Sequence, residues 1–493
     1  MNNKIKYIVF ICLSTLLSIS CNKDLLTPVP KTVVIDINSF DTPDRILNQV
    51  RTLYQALKNG NFYGGRYIVF GDIRGEDFIN ETGNLVTGSD VWSLNCAGTS
   101  QNSVKNLWSQ AYYTINLCNL FIDGMAAKGT SVVGIPLSRN YVGEAKLIRA
   151  LSYYSLLQFY ARPFADGAGS KPGLPLRLTG IKSYGSSDLA RSSVADIYTQ
   201  VIVDLDSAEA SLPLTNANPP FTAANQELNT TRAHRNTAIA LKTRVYLSMQ
   251  NYPKVITEAN KIVSANAPFT ATTGVPHALQ TSILTVFSTY YTPESIFSLP
   301  MTITAGDNPG TQNQLGFYFV RNGSNPGSAE YSLNPSGIIS NGGWSNLDSR
   351  KMGLVFTNAG GKKFVSKYFG ASPYTDYPPV IRYSEVLLNL AEALARTNAG
   401  VDIRGLALVN AVRFRSDFNT VIGAVTQQQL IDAIMLERRI EFLGEGLRNN
   451  DLMRLLQTIP AKGSISSKNP SDQGYIWPIS SDELSLNHLM TDN

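Results

Sequence analysis

The segment Leu436-Glu-Arg-Arg-Ile-Glu-Phe-Leu-Gly-Glu-Gly-Leu-Arg-Asn-Asn-Asp-Leu-Met-Arg454 interleaves charge and apolarity at helical spacing and is interrupted at Gly444 and Gly446. Read as two helices joined by a glycine break, it places Glu437 and Glu441 on one face, with Arg438 three residues before Glu441. Ile431, Ile434, Met435, Ile440 and Phe442 alternate with these charges, so part of the charged set faces the interior. A carboxylate taken out of water must be paired or hydrogen-bonded. Arg448, Asp451 and Arg454 are close enough in sequence to join such a network. Paired glutamates also perform acid–base chemistry, but nearly every carboxylate here has an arginine three or four positions away. Ion-pair networks imitate active sites, and this spacing favours structural cross-linking.

Outward from this element the helical period recurs. Asp41 to Lys58 repeats apolar residues through Ile46, Val50, Leu53 and Leu57, and Val104 to Ile122, Tyr141 to Tyr160 and Val194 to Ser211 follow. Ala233 to Met249 and Tyr252 to Ser264, joined by Gln250-Asn251, form an αα-hairpin with small residues at Ala238, Ala240 and Ala259. That is a tetratricopeptide-type unit, which must stack on neighbours because alone it cannot bury its apolar face. Helices resume at Val380 to Thr397 and Gly405 to Ser416. Two regions break the pattern. Asn61 to Thr99 is rich in glycine and aromatics and reads as a long, mostly irregular loop, a feature commonly tied to function. Between Phe269 and Tyr377, Gly, Pro, Asn and Ser punctuate short apolar runs such as Ser295–Pro300 and Phe364–Phe369, which suit short strands and loops.

Residues 1–20 read as an export signal: Lys4 and Lys6 precede an apolar run from Tyr7 to Leu17, and small residues follow. That run is too short to span a bilayer, and no later stretch reaches the necessary length. Leu17-Ser-Ile-Ser-Cys21 resembles a bacterial lipobox, departing from it at Ser18, so Cys21 is the expected lipidation site and residues 21–38, with Pro28 and Pro30, the tether. Acyl chains contribute about 0.8 kcal/mol per buried methylene, enough to hold the domain on a membrane without a spanning helix. Loss of Lys4 and Lys6 with the leader lowers the net charge from +5 to +3, which gives no argument for nucleic acid. Cys96 and Cys118 are left to pair or to remain free.

Enzymatic signatures are missing. His234, His277 and His488 show no His-Glu-x-x-His or Cys/His ligand spacing, so no metal or cofactor is expected. There is no Walker loop and no Gly-x-Ser-x-Gly elbow. A glycosidase pair can come from distant loops; Asp72, Glu76, Asp77 and Glu81 are the acids to suspect, although four acids around a turn more commonly form a solvated surface or a cation contact.

Five segments together resemble the RagB/SusD family of Bacteroidetes outer-membrane lipoproteins. They are Leu-Glu-Arg-Arg-x-Glu with the following Glu-Gly-x-Arg-x-x-Asp-Leu, Gly143-Glu-Ala-Lys-Leu-Ile-Arg-Ala150, Arg382-Tyr-Ser-Glu-Val-Leu-Leu-Asn-Leu-Ala-Glu-Ala393, Val409-Asn-Ala-Val-Arg-Phe-Arg-Ser416 and Trp477-Pro-Ile-Ser-Ser-Asp-Glu-Leu. Asn22-Lys-Asp-Leu-Leu-Thr-Pro28 also looks like the family's mature start. Gly444 stands where the family commonly has Phe, and Asn449-Asn450 where it has an aromatic. The resemblance implies a mainly α, tetratricopeptide-like scaffold with irregular loops and a few short strands. It would be one domain over 39–493, helical over 39–268, with a loop and short-strand insertion over 269–377 and helices again over 378–493. It also implies capture of oligosaccharide outside the cell and delivery to a SusC-like TonB-dependent transporter, with no bond broken. A peptide nutrient with the same transporter partner, or glycoside hydrolysis, are the alternatives.

A saccharide presents apolar C–H faces and many hydroxyls, which aromatic platforms and Asn, Asp, Gln or Arg side chains satisfy. Arg74, Trp92 and Asn95 in the first loop, with Tyr290, Tyr291, Tyr318 and Trp344 in the second region, are the candidate ligand-binding residues.

Overall fold

The computed structural model describes residues 38–183, 185, 188–216, 226–304, 306–323 and 326–493. The expected leader, Cys21 and nearly all of the tether lie outside these residues. The first helix, α1 (Pro43–Leu57), starts where the sequence supplies a cap: Thr42 accepts from the Arg45 amide and Pro43 opens the first turn. There follow α2 (Arg66–Ile73), β1 (Phe78–Asn80), α3 (Asn106–Gly124), α4 (Ile135–Tyr160), α5 (Val194–Ser211), α6 (Arg235–Ser248) and α7 (Tyr252–Ala259). The insertion contributes β2 (Ser295–Ser298), β3 (Tyr331–Leu333), β4 (Val355–Thr357) and β5 (Lys363–Val365). After the insertion come β6 (Pro379–Arg382), α8 (Tyr383–Thr397), α9 (Ile403–Ser416), α10 (Gln427–Glu441), α11 (Arg448–Arg454) and a last short helix, Ser481–Leu486.

Helices stack in sequence order: α3 packs on α4, α4 on α5, α5 on α6, α6 on α7, α7 on α8, and α8 on both α9 and α10. The α6–α7 hairpin forms as its small residues demand, with Ala238, Ala240 and Ala259 completely buried. Buried ion pairs join members of the stack. Arg149 on α4 grips Asp204 on α5 at 2.8 and 2.7 Å. Arg244 on α6 grips Glu385 on α8 at 2.7 and 2.6 Å. One hydrophobic cluster runs from Phe40 to Met490, so N- and C-terminal helices share a core.

Among the described residues strands pair only in twos, antiparallel: β1 with β3, β2 with β6, β4 with β5, and Pro172–Pro175 with Arg191–Ser193. The expected strands at Ser295–Pro300 and Phe364–Phe369 appear, in shortened form, as β2 and β5. One expectation is corrected: Pro379–Arg382 is a strand and not the first turn of a helix, because the backbone there is committed to pairing with β2. Asn61 to Thr99 is irregular over more than half its length, yet it is anchored: every residue of α2 is buried, and β1 pairs with β3, about 250 residues later.

The glycine break between α10 and α11 is forced by packing. Gly446 has φ +80°, and a Cβ on it would stand 2.8 Å from the backbone of Ile68 on α2. The first loop and the C-terminal helices thus meet backbone to backbone, which only glycine permits.

Candidate functional site

The charged residues of the C-terminal signature are buried and paired. Glu441 receives Arg350 at 2.9 Å, Arg382 at 2.9 Å and Arg415 at 2.6 Å. Glu437 receives Arg350 at 2.6 Å and Arg413 at 2.7 Å. Glu294, Asp348 and Glu445 complete the set with Lys367, so that five carboxylates face five cations. Burial pushes the Glu441 carboxyl up, but Arg415, Arg382 and Arg350 outweigh it and hold the group well below the usual carboxylate range. A carboxylate held that low is a poor acceptor for a substrate proton near neutral pH. Beside it, Arg454 clasps Glu392 at 2.7 and 2.6 Å, and Arg438 reaches Asp451 at 3.1 Å.

The acids of the first loop form neither a solvated turn nor an open carboxylate pair; three of the four make the cation contacts the sequence also allowed, with arginine and lysine as the cations. Glu76 is bound by Arg448 at 3.0 and 2.6 Å, and Asp77 by Arg439 and by the Ile338 amide at 2.7 Å. Asp72 accepts from the Gly446 and Arg448 amides; burial nevertheless pushes its carboxyl up to about 7. Glu81 pairs with Lys362 and Ser332 across the strand region. Asp72, Glu76 and Asp77 clamp the first loop to α10, α11 and the glycine break between them. Among the described residues no group of three or more His, Cys, Asp or Glu is placed to hold a metal ion. Cys96 and Cys118 are free thiols.

The seven candidate ligand residues separate by burial. Arg74, Tyr318 and Trp344 are core residues, contrary to the platform role expected of them. Arg74 is 1% exposed and donates to Asn449 and to the Tyr475 carbonyl at 2.8 and 2.6 Å; burial without a carboxylate partner lowers it to about 10. Tyr318 is stacked on Tyr331 with centroids 6.3 Å apart, and burial pushes its hydroxyl up to about 12. Trp344 is 3% exposed, with the Lys351 ammonium 5.4 Å from its ring centre. Trp92 is half-buried: its indole N–H donates to the Phe78 carbonyl at 2.8 Å, and the Lys462 ammonium lies 5.7 Å from its ring centre. Asn95 is exposed. Tyr290 and Tyr291 are half-buried and meet edge to face, centroids 5.0 Å apart, and Tyr377 lies 5.7 Å from Tyr290. Partial burial and the Glu227 carboxylate push the Tyr290 hydroxyl up to about 12.

A second aromatic surface was missed by sequence reasoning. Phe356 on β4 and Phe369 just beyond β5 lie 5.7 Å apart at a 44° tilt, and Phe369 is 42% exposed. The Asn322 amide donates to the Phe369 carbonyl and the Arg321 guanidinium covers the Phe317 ring at 4.5 Å. The available signal was the run Phe364–Phe369, in which Phe364 is buried and Phe369 falls outside the strand.

Comparison with known proteins follows the same division. Residues 345–493 match the model of the SusD family, and residues 31–247 match the model described as "Starch-binding associating with outer membrane". A SusD superfamily protein from Bacteroides fragilis is 30% identical, with a TM-score of 0.79 over 92% of this chain and 99% of its own. A laminarin-binding SusD-like protein, 17% identical, has the same fold at a TM-score of 0.70 over 92% and 99% of the two chains. SusD-like protein P38 of Formosa agariphila is 21% identical over 96% of this chain and 95% of its own.

Proposed function

This chain belongs to the SusD superfamily, and from that premise we propose that it is a cell-surface lipoprotein that binds glycan and delivers it to a SusC-like TonB-dependent transporter. The observation that carries the reading is the set of aromatic rings left partly open on a rigid scaffold. Trp92, the Tyr290–Tyr291 pair and the Phe356–Phe369 pair each have a ring held by the fold while part of its surface meets solvent, with Asn95 exposed in the first loop. Such rings take up sugar C–H faces at little entropic cost, each aromatic contact contributing about 0.5–1.5 kcal/mol beyond area burial. Two or three stacked sugars supply the roughly 4–8 kcal/mol of a millimolar to micromolar complex, weak enough for handover.

The matched family description, association with an outer membrane, supports a membrane-bound role. No helix among the described residues is long and apolar enough to cross a membrane, which suits anchoring through acylated Cys21. Residues 39–493 then act as one unit, and the molecule binds without catalysis, a reading supported by the pairing of Glu76 and Asp77 with arginine, of Glu81 with Lys362, and of Asp72 with two backbone amides.

The test is retention of the protein in glycan-containing gels across a polysaccharide panel, with a peptide panel alongside. Tyr290→Ala/Phe369→Ala should lose retention on the glycan that holds the parent chain while keeping its melting temperature within about 2 °C, because both rings are partly exposed. Retention by peptides alone, or equal retention of parent and variant, would overturn the glycan reading or its site. Co-purification with a β-barrel partner and incorporation of labelled fatty acid at Cys21 test the remaining two parts.

A further inference from the structure

A cleft of about 500 Å³ opens between α10, the C-terminal end of α8 and the chain around α11. Its size lies within the range of roughly 300–1,000 Å³ usual for small-ligand sites. Its residues on α10 (Gln428, Asp432, Leu436 and Arg439) recur every three or four positions and so form one helical face. Met435 and Leu436 supply apolar wall, Gln428 and Gln457 amides, and Arg396, Arg439 and Arg448 three guanidinium groups. Asp432 is the single carboxylate of the lining, and one of its oxygens already accepts from Gln428 at 2.8 Å.

The guanidiniums are fixed from behind. Arg439 spends Nε and Nη2 on Asp77, Arg448 spends Nε and Nη2 on Glu76, and Arg396 spends Nε on Glu392 at 2.7 Å. Arg396 is also stacked on Tyr252, 5.6 Å from the ring centre. A guanidinium carries five N–H donors. Among the described residues no acceptor bonds Nη1 of Arg439 or Arg448, or either terminal nitrogen of Arg396. Their side chains keep 15–21% of their surface. Donors immobilised by buried carboxylates and left partly unused suit a planar or tetrahedral oxyanion, which Arg recognises by charge-assisted hydrogen bonds.

We propose that this cleft binds the oxyanion of an acidic sugar, a carboxylate or sulfate on a pyranose ring, at a site separate from the aromatic surfaces; the sugar part of this proposal rests on the glycan-binding reading above. The oxyanion sits against Arg396, Arg439 and Arg448, the amides of Gln428 and Gln457 meet ring hydroxyls, and Met435 and Leu436 cover the C–H face.

The experiment is saturation-transfer NMR and titration of the full chain with D-glucuronate, D-glucose and inorganic sulfate at low and high salt. Glucuronate should bind at least tenfold more tightly than glucose, with an advantage that shrinks as salt rises. Arg396→Gln should weaken glucuronate about five- to tenfold. Glu392 stays paired with Arg454 in that variant, so folding is retained. Asp432→Asn, which removes the one like charge of the lining, should strengthen binding. Sulfate competition that Arg396→Gln abolishes supports the oxyanion cleft even where every neutral glycan fails at the aromatic surfaces. Equal affinity for glucose and glucuronate, or dissociation constants within twofold for parent, Arg396→Gln and Asp432→Asn, overturns it while leaving neutral-glycan retention as a separate result.

Discussion

Replacing Glu441 by Gln tests whether the C-terminal signature cross-links the fold or performs chemistry. Glu441 is completely buried and faces three guanidiniums at 2.9, 2.9 and 2.6 Å. Neutralising it leaves Arg382, Arg350 and Arg415 sharing four carboxylates among five cations, one uncompensated buried charge. Breaking a buried pair from one side costs about 3–5 kcal/mol. With an unfolding entropy of about 2.1 cal/mol/K per residue over roughly 450 residues, each kcal/mol moves the midpoint of a cooperative transition by about 1 °C. Glu441→Gln should therefore melt about 3–5 °C below the parent by calorimetry. The matched control, Glu81→Gln, removes a pair in which Lys362 is 57% exposed, and such pairs contribute about 0–1 kcal/mol. Its midpoint should move by about 1 °C or less. Glycan retention well below either midpoint should be the same for both variants. A Glu441→Gln variant that melts like the parent, or one that keeps its melting temperature but loses a glycan-dependent signal, would refute the cross-linking argument.

Three further outcomes follow from the same structure. Asp451 is pushed up by burial but pulled down to about 2 by Arg438 and Arg454. Its folded value lies below its unfolded one, so its stabilisation is present above about pH 4 and lost as pH falls through about 2. Asp451→Asn should cost about 2–3 kcal/mol at pH 7 in denaturant titrations, with the deficit vanishing across that acid window; a constant deficit from pH 7 to 2 would contradict it. Trp344→Ala should lower the melting temperature by several degrees, as truncating a buried Trp costs about 3–5 kcal/mol. An unchanged melting temperature with lost glycan retention would restore Trp344 as a platform. Cys118 is completely buried and burial pushes its thiol well up, so it should not react with a thiol reagent at pH 8 until denaturant is added, and rapid labelling of both thiols in the native protein would contradict its packing.

Helix positions and the charged stitching were legible because both follow from local spacing. Apolar residues every three or four positions mark a buried face wherever the helix docks, and a charge within that face must find a partner. The resembling segments bear this out physically: Arg149, Arg382, Glu385, Arg413, Arg415, Glu437 and Glu441 all lie in buried pairs, and Trp477 packs on Phe159 with ring centres 4.5 Å apart. The segments that carry the resemblance are therefore segments that hold this chain together.

Which aromatics remain open was decided only in three dimensions. Arg74, Tyr318 and Trp344 look in sequence like Trp92 and Tyr290, polar-flanked residues in irregular stretches. Arg74 is covered by Asn449 and Tyr475, about 400 residues later, and Tyr318 by Tyr331 on β3, which pairs with β1 from the other end of the chain. No local period encodes such contacts, because a side chain in a loop is covered by whatever distant segment the stack of helices brings to it. The same physics hid Phe369: its strand ends before it, and solvent exposure is a property of the assembled surface rather than of the residues beside it in the chain.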